Sequence, residues 1–519
     1  MSPALRAALA ADFSTLAELI HLHAQEAPGR RALVQGGESL DYGALDALMD
    51  RVGAALQRDG IQAGETIAIC AATSLAYAVT YLGALRVGVV VAPLAPGATP
   101  ESLAGMLDDA DARLLFTDQA VAEALGSRAA SVPRIALDGG SAGVAWAGWL
   151  AEPGRRPQAV TVDRAWPFNI IYSSGTTGEP KGIVQPHGMR WVHVQRGAAY
   201  GYGADTVTLL STPLYSNTTL VVFFPTLAYG GTVLLMPKFD AAAYLQLAAR
   251  ERVTHTMLVP VQYQRIMARP DFDRHDLSSF RFKFCTSAPF APALKADVIA
   301  RWPGALIEYY GMTEGGGTCI LDAHLHPDKL HTVGRPAQGH DIRLIDEGGH
   351  EVPAGEAGEV VGHSPGMMKG YHQRPEKTRE AEWFDPQGQR YIRTGDIGRF
   401  DAEGFLILLD RRKDMIISGG FNIYPSDLEG VLRQHPAVLD AAVVGVPSEQ
   451  WGETPVAFVV LREGQTVPAL ALREWANSRV GKTQRLADLR YLDELPRSAI
   501  GKVLKRELRE QYGRGSVRA

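Results

Sequence analysis

Cysteine is scarce. Cys70, Cys285 and Cys319 are the only three in 519 residues. An odd number without metal-ligand spacing excludes a disulfide framework and points to a reducing cytoplasm. Positive charge is not in excess either. Lys and Arg total 52 against 57 Asp and Glu, a formal net charge of −5, so the strongly basic face of a nucleic-acid binder is not expected. Long apolar runs are missing as well. The longest, Thr219 to Met236, is broken by Pro225 and by Gly230-Gly231, which reads as a buried helix turning into a strand and not as a membrane span. The N-terminus has no secretory-signal pattern. Thr15 and Glu18 form a capping box, and Leu16, Leu19, Ile20 and Ala27 follow helical spacing up to Pro28, so this stretch is expected to be a domain's first helix.

What remains is an ordinary globular composition, 46% hydrophobic and 21% charged, over a length that suits several packed units. Helical stretches such as LDALMDRVGAALQRD precede short apolar runs such as ETIAICA and VGVVVAPL. The alternation recurs through TVLLMP, HTMLVP and FRFKFCTSA, as expected of layered parallel α/β structure. From Gly339 to Phe400 the pattern changes to short strands, DIRLID, GEVVGHS and RYIRTGDIGRF, separated by turn residues, which predicts a small antiparallel region. After Asp410 a compact α+β tail follows, with DAAVVGVP and PVAFVVL as strands and LEGVLRQH and LALREWANSRV as helices. The expected division is therefore a large domain over residues 1–409 and a small one over 410–519.

The stretch YSSGTTGEPKG, Tyr172 to Gly182, follows the buried-strand pattern FNIIY. Ser173, Ser174, Thr176 and Thr177 offer hydroxyls, Gly175, Gly178 and Gly182 let backbone N–H groups turn toward an anion, and Lys181 adds one fixed cation. It is not a P-loop, because Pro180 and Gly182 flank the lysine where Gly and Ser or Thr are required. It closely resembles the signature loop of the acyl-adenylate-forming (AMP-binding) enzymes, in particular their acyl- and aryl-CoA ligases. Four further segments resemble that family in the right order: YYGMTEGGG (309–317), YIRTGDIGRF (391–400), DRRKDMIISGGFNIYPSDLE (410–429) and PRSAIGKVLKREL (496–508).

The resemblance implies a two-step reaction using ATP, Mg²⁺ and coenzyme A. Thr313 would touch the α-phosphate, Glu314 and Thr176 would hold Mg²⁺, and Asp396 and Arg411 would bind the ribose. Ser287, Ala288, Pro289, Tyr309, Tyr310, Gly311 and Met312 would complete the ATP site. Lys502 would be the catalytic lysine of a mobile C-terminal domain pivoting at Lys413. Gly419, Gly420 and Trp451 would line the thiol channel; for Trp451 the plainer alternative is a core anchor, and for the glycines a strand turn. The acid pocket would be formed by Tyr215, Ser216, Asn217, Ser287, Tyr309, Gly311 and Met312. Many relatives have His where this chain has Ser216, so that histidine's role does not carry over. Lys283 is the one basic residue in the pocket segments, and an uncharged aryl or alkyl acid is expected, since an unpaired buried charge is costly. Transfer to a carrier-protein phosphopantetheine is the alternative to CoA, and a homodimer is left open. His324, His326, His331 and His340 lie in a Pro- and Gly-rich stretch with irregular spacing, which reads as an exposed loop and not as a metal site.

Overall fold

The computed structural model describes residues 1–173, 181–411, 414–418, 421–448, 451–481, 484–498 and 501–515. Ser174 to Gly178, Lys413, Gly419 and Gly420 lie outside the described residues, as do the side chains of Ser173 and Arg411. The chain divides into two compact units. The first comprises Met1–Leu330, Pro336–Asp341 and His363–Ile392, and the second His331–Arg335, Ile342–Gly362 and Arg393–Ala519.

The first unit is α/β, built on two sheets. One sheet runs in the order Gly370–Tyr371, Lys181–Pro186, Pro167–Ser173, Val90–Pro93, Thr66–Cys70, Leu115–Thr117, Arg134–Ala136, Val144–Ala145. The other contains the parallel series Ala305–Gly311, Phe282–Cys285, His255–Leu258, Val207–Leu210, Thr232–Leu235, Arg31–Gln35. Every residue of Thr66–Cys70 is buried, which explains why these strands read as continuous apolar runs without alternation: helices cover both faces. One core joins residues of both sheets, such as Ile69, Phe168, Leu210 and Phe284, to buried residues of the helices Leu16–Glu26, Tyr42–Arg58, Leu75–Arg86 and Asn217–Ala228.

Two local expectations change. A helix over Pro3–Ala10, capped by the Ser2 hydroxyl, precedes Leu16–Glu26, so the latter is not the first. Pro225 does not break the apolar run. It sits inside helix Asn217–Ala228, which ends at the turn where Gly230 takes a φ of 82°.

Two buried histidines tie stability to pH. His187 packs edge-on against Phe168 with centroids 4.9 Å apart, and its Nε2 has no partner. His255 is held by the Tyr200 carbonyl at 2.9 Å and the Thr254 hydroxyl at 2.8 Å. Burial lowers both from 6.5 to about 4. Between these values the unfolded chain binds protons that the folded chain refuses. Stability is therefore full above pH 6.5 and falls toward pH 4, by about 3 kcal/mol per histidine. A urea midpoint that is the same at pH 7.5 and pH 5 contradicts this.

In the second unit, Arg390–Phe400 continues from the first and pairs antiparallel with Leu406–Arg411. The tail sheet has the order Phe421–Ile423, Ile416–Ser418, Gly452–Leu461, Val438–Ser448, with Asp488–Tyr491 parallel to Gly452–Leu461. Successive residues of its long strand point to opposite faces. Ala441 and Val443 meet Leu428, Leu432 and Leu472 of the helices Pro425–Arg433 and Ala469–Asn477, whereas Ala442 and Val444 meet Leu508 of Lys505–Gly515. Both faces are covered, which matches the α+β pattern read from the tail.

Candidate active site

Lys181 begins the strand that returns from the signature loop. Ser173 lies opposite it across an antiparallel ladder that also pairs Tyr172 with Gly182. Residue 182 has to be glycine, because a Cβ there would sit 2.7 Å from Ile170 Cγ2 and 3.1 Å from the Tyr172 ring. Gly370–Tyr371 adds to the same strand, with Tyr371 opposite Ile183. This register brings the Tyr371 ring 5.1 Å from the Lys181 ammonium, and the Tyr371 hydroxyl donates to Glu314 Oε1 at 2.8 Å. Burial first, and then the Glu314 charge, raises the phenol pKa, so the hydroxyl stays a donor. The Glu314 loop is anchored by Met368 N–H donating to the Glu314 carbonyl at 2.8 Å. Its next residue, Gly315, has a φ of 74°, and a Cβ there would lie 2.0 Å from the Gly366 carbonyl. Met312 and Tyr371 pack on the same small cluster of Ile183, Met368 and Ile392.

Among the residues expected at the acid pocket, Tyr309 stacks on Phe284 with centroids 5.6 Å apart, and Tyr200 meets both edge-on. Thr218 Oγ1 and Ser287 Oγ are hydrogen-bonded at 2.6 Å, which ties the 213–220 segment to the turn after Phe282–Cys285 that carries Ser287, Ala288 and Pro289. Ser287 holds a φ of 82°, a left-handed conformation that non-glycine residues adopt at a cost. Ser216 is buried ahead of helix Asn217–Ala228, and Tyr215 lies near Cys70 and Tyr77. Lys283 is occupied elsewhere. Its Nζ donates to the carbonyls of Trp302 at 3.0 Å, Pro303 at 2.7 Å and Gly304 at 2.5 Å, and burial lowers its pKa to about 7.

Between these two groups lies a polar cluster the motifs did not indicate. Gln185 Nε2 donates to the Thr313 carbonyl at 2.6 Å. Gln185 Oε1 accepts from Arg190 Nη2, while Arg190 Nη1 donates to Asn217 Oδ1 at 2.9 Å and Nε to Asn169 Oδ1 at 3.3 Å. Thr313, expected at the α-phosphate, is thereby linked to the first turn of helix Asn217–Ala228, whose Asn217 is expected in the acid pocket. The available sequence signal was a glutamine and an arginine at positions of strand Lys181–Pro186 and helix His187–Arg196 that the fold buries completely.

In the second unit Asp396 stands opposite Arg411 in the antiparallel register, so the two expected ribose contacts are paired in the backbone. Lys502 lies in a turn where its N–H donates to Ser498 Oγ at 3.2 Å and its carbonyl accepts from Ser498 N–H at 2.8 Å. Trp451 is 50% exposed, which rules out the core-anchor alternative. His340 departs from the exposed-loop reading: Thr318 N–H donates to its Nδ1 at 2.9 Å, Arg196 lies 3.2 Å from its Nε2, and burial lowers its pKa to about 4.

The profile of the AMP-binding enzymes matches residues 20–372, and that of the AMP-binding enzyme C-terminal domain matches 427–502. The chain belongs to the AMP-binding enzyme family. A feruloyl-CoA synthase of an Amycolatopsis species is 34% identical over 503 residues, 94% of this chain and 97% of that relative. An indoleacetate–CoA ligase of Aromatoleum aromaticum is 33% identical over 96% of this chain and 98% of its own. The ATP-bound structure of MatB from Rhodopseudomonas palustris superposes with a TM-score of 0.86 at 29% identity, covering 96% of this chain and 99% of that one. No helix among the described residues of this AMP-binding enzyme is long and apolar enough to cross a membrane.

Two substitutions test the geometry in this AMP-binding enzyme. Tyr371→Phe keeps the ring beneath Lys181 and removes the hydrogen bond to the Glu314 carboxylate, so the KM for ATP should rise about tenfold at constant acid KM. An unchanged ATP KM separates Tyr371 from the nucleotide site. Asp396→Ala, if Asp396 holds two ribose hydroxyls, loses two charge-assisted hydrogen bonds and should weaken ATP binding about a hundredfold, read by calorimetry with ATP and AMP.

Proposed function

We propose that this AMP-binding enzyme is an ATP-dependent carboxylic acid–CoA ligase, forming an acyl-adenylate and then a thioester with release of AMP and pyrophosphate. The observation that supports it most is the meeting of Lys181 and Glu314 at one tyrosine, beside a wall that aromatic rings and the 213–220 segment build for an acid. A carboxylic acid is ionised at neutral pH, its reference pKa being about 4, so no general base is needed for attack on the α-phosphorus. What the reaction requires is charge control: two anions approach while charge builds on the phosphoryl oxygens. Lys181 and the loop N–H groups hold the phosphates, Thr313 meets the α-phosphate, and Lys502 neutralises charge between carboxylate and phosphorus. Glu314 fits a hard divalent cation, because Tyr371 engages only Oε1 and a carboxylate keeps further lone pairs. Mg²⁺, when bound, supplies positive charge to the phosphate oxygens.

The thiol step needs another geometry, which we assign to rotation of the C-terminal segment about Lys413, withdrawing Lys502 and presenting Gly419, Gly420 and Trp451 to the pantetheine arm. The substrate is an aryl or alkyl acid, in keeping with the engagement of Lys283 by three backbone carbonyls. Incubation with ATP, Mg²⁺ and a panel of acids, with AMP and pyrophosphate measured with and without CoA, tests the reading. CoA-dependent AMP turnover is expected. Pyrophosphate release with every acid silent toward CoA, or no release on the whole panel, overturns it.

A further inference from the structure

Arg190 is 2% exposed and lies 5.7 Å from the ring centroids of both Phe168 and Phe224. Among the described residues no carboxylate pairs with it; its partners are the side-chain amide oxygens of Asn169, Gln185 and Asn217. A guanidinium has donors only, so it dictates how the amides it touches are turned. Gln185 must offer it Oε1, which directs Nε2 to the Thr313 carbonyl at 2.6 Å. Asn217 must offer Oδ1, which Arg190 approaches at 2.9 Å and Gln185 Nε2 at 3.4 Å. The Asn217 amide nitrogen is therefore turned away from the cluster. No described residue accepts from it, and Asn217 is partly exposed. Beside it, Thr218 and Ser287 present their hydroxyl pair, held at 2.6 Å although Ser287 has to adopt a φ of 82°. The wall that Asn217, Thr218 and Ser287 contribute to the acid side is thus polar and donor-bearing, backed by the Arg190 guanidinium, which no described carboxylate neutralises.

Resting on the ligase reading above, we propose that Asn217 is a specificity-determining residue whose Nδ2 donates to an oxygen acceptor, a hydroxyl, methoxy or keto oxygen, carried by the acid distal to its reacting carboxylate, and that Arg190 is the positioning residue that fixes this orientation. The acceptor is uncharged. Arg190 is itself out of reach, with Nε, Nη1 and Nη2 all engaged by amide oxygens, so a second carboxylate would meet an amide and no free cation. An acid lacking the oxygen covers the donor without pairing it, which is the penalty that discriminates.

The test compares matched acids in adenylate formation: cinnamate with 4-hydroxycinnamate, phenylacetate with 4-hydroxyphenylacetate, hexanoate with 6-hydroxyhexanoate, and adipate as the doubly anionic member. For the accepted pair, the intact enzyme should favour the oxygen-bearing acid by tenfold or more in kcat/KM. Asn217→Leu should bring that ratio to within about twofold, mainly through the acid KM and with the ATP KM little changed. Asn217→Asp provides the variant that folds, since the carboxylate forms an ion pair with Arg190, and because it offers no donor it should lose the preference as well. A preference that survives in both variants, its absence in the intact enzyme, or adipate as the best acid overturns the inference while leaving the ligase reading intact. No turnover with any acid overturns both.

Discussion

Lys502→Ala is expected to lower acyl-adenylate formation by about 10³-fold or more, the effect of removing a dedicated cation from a phosphoryl-transfer transition state. The variant should fold. The reciprocal hydrogen bonds of its backbone with Ser498 and the bridge between Arg497 and Val503 are kept, since they do not use the side chain of residue 502. The thioester step should survive, because in the proposed mechanism it proceeds in a geometry from which Lys502 has withdrawn. The measurement is acyl-CoA production from presynthesised acyl-adenylate and CoA. Loss of both steps means that Lys502 organises the C-terminal segment, and a first step of normal rate assigns the cation to another residue.

Glu314→Gln should be the next largest, a loss of about a hundredfold or more in kcat/KM for ATP. The amide keeps an oxygen to accept from the Tyr371 hydroxyl, and Met368 still holds the backbone of residue 314, so the loop stays in place. Only the negative charge is removed. The expected signature is a steep shift of the Mg²⁺ requirement to higher concentration, seen also in the Mg²⁺ dependence of ATP binding by calorimetry without any acid. If activity falls while the Mg²⁺ dependence is unchanged, Glu314 positions the loop and holds no cation. The comparison with Tyr371→Phe is informative: that change leaves the charge and frees its orientation, so its effect should be the smaller of the two.

The alternation of helices with apolar runs, the antiparallel stretch before Phe400 and the α+β tail were legible because they are local. A strand covered on both faces, such as Thr66–Cys70, must be apolar throughout, and a covered helix must carry a stripe, whatever the rest of the chain does. Lys181, Thr313, Glu314, Asp396 and Lys502 were legible as motif residues for a similar reason, since each stands in a short segment of distinctive composition. What the sequence could not decide were contacts made across long separations. Tyr371 meets Glu314 from 57 positions away, and Arg190 meets Asn217 from 27. In sequence Tyr371 is one residue of a turn-rich stretch, and Arg190 is a charge on a helix that solvation alone would explain. Lys283 likewise lay in an expected pocket segment until its ammonium was found among three carbonyls, and His340 in an expected loop until Thr318 and Arg196 closed around it. Periodicity reports which face of an element is buried. Which polar groups are buried against one another depends on strand register and helix packing, and these are set only when the whole chain has closed on its core.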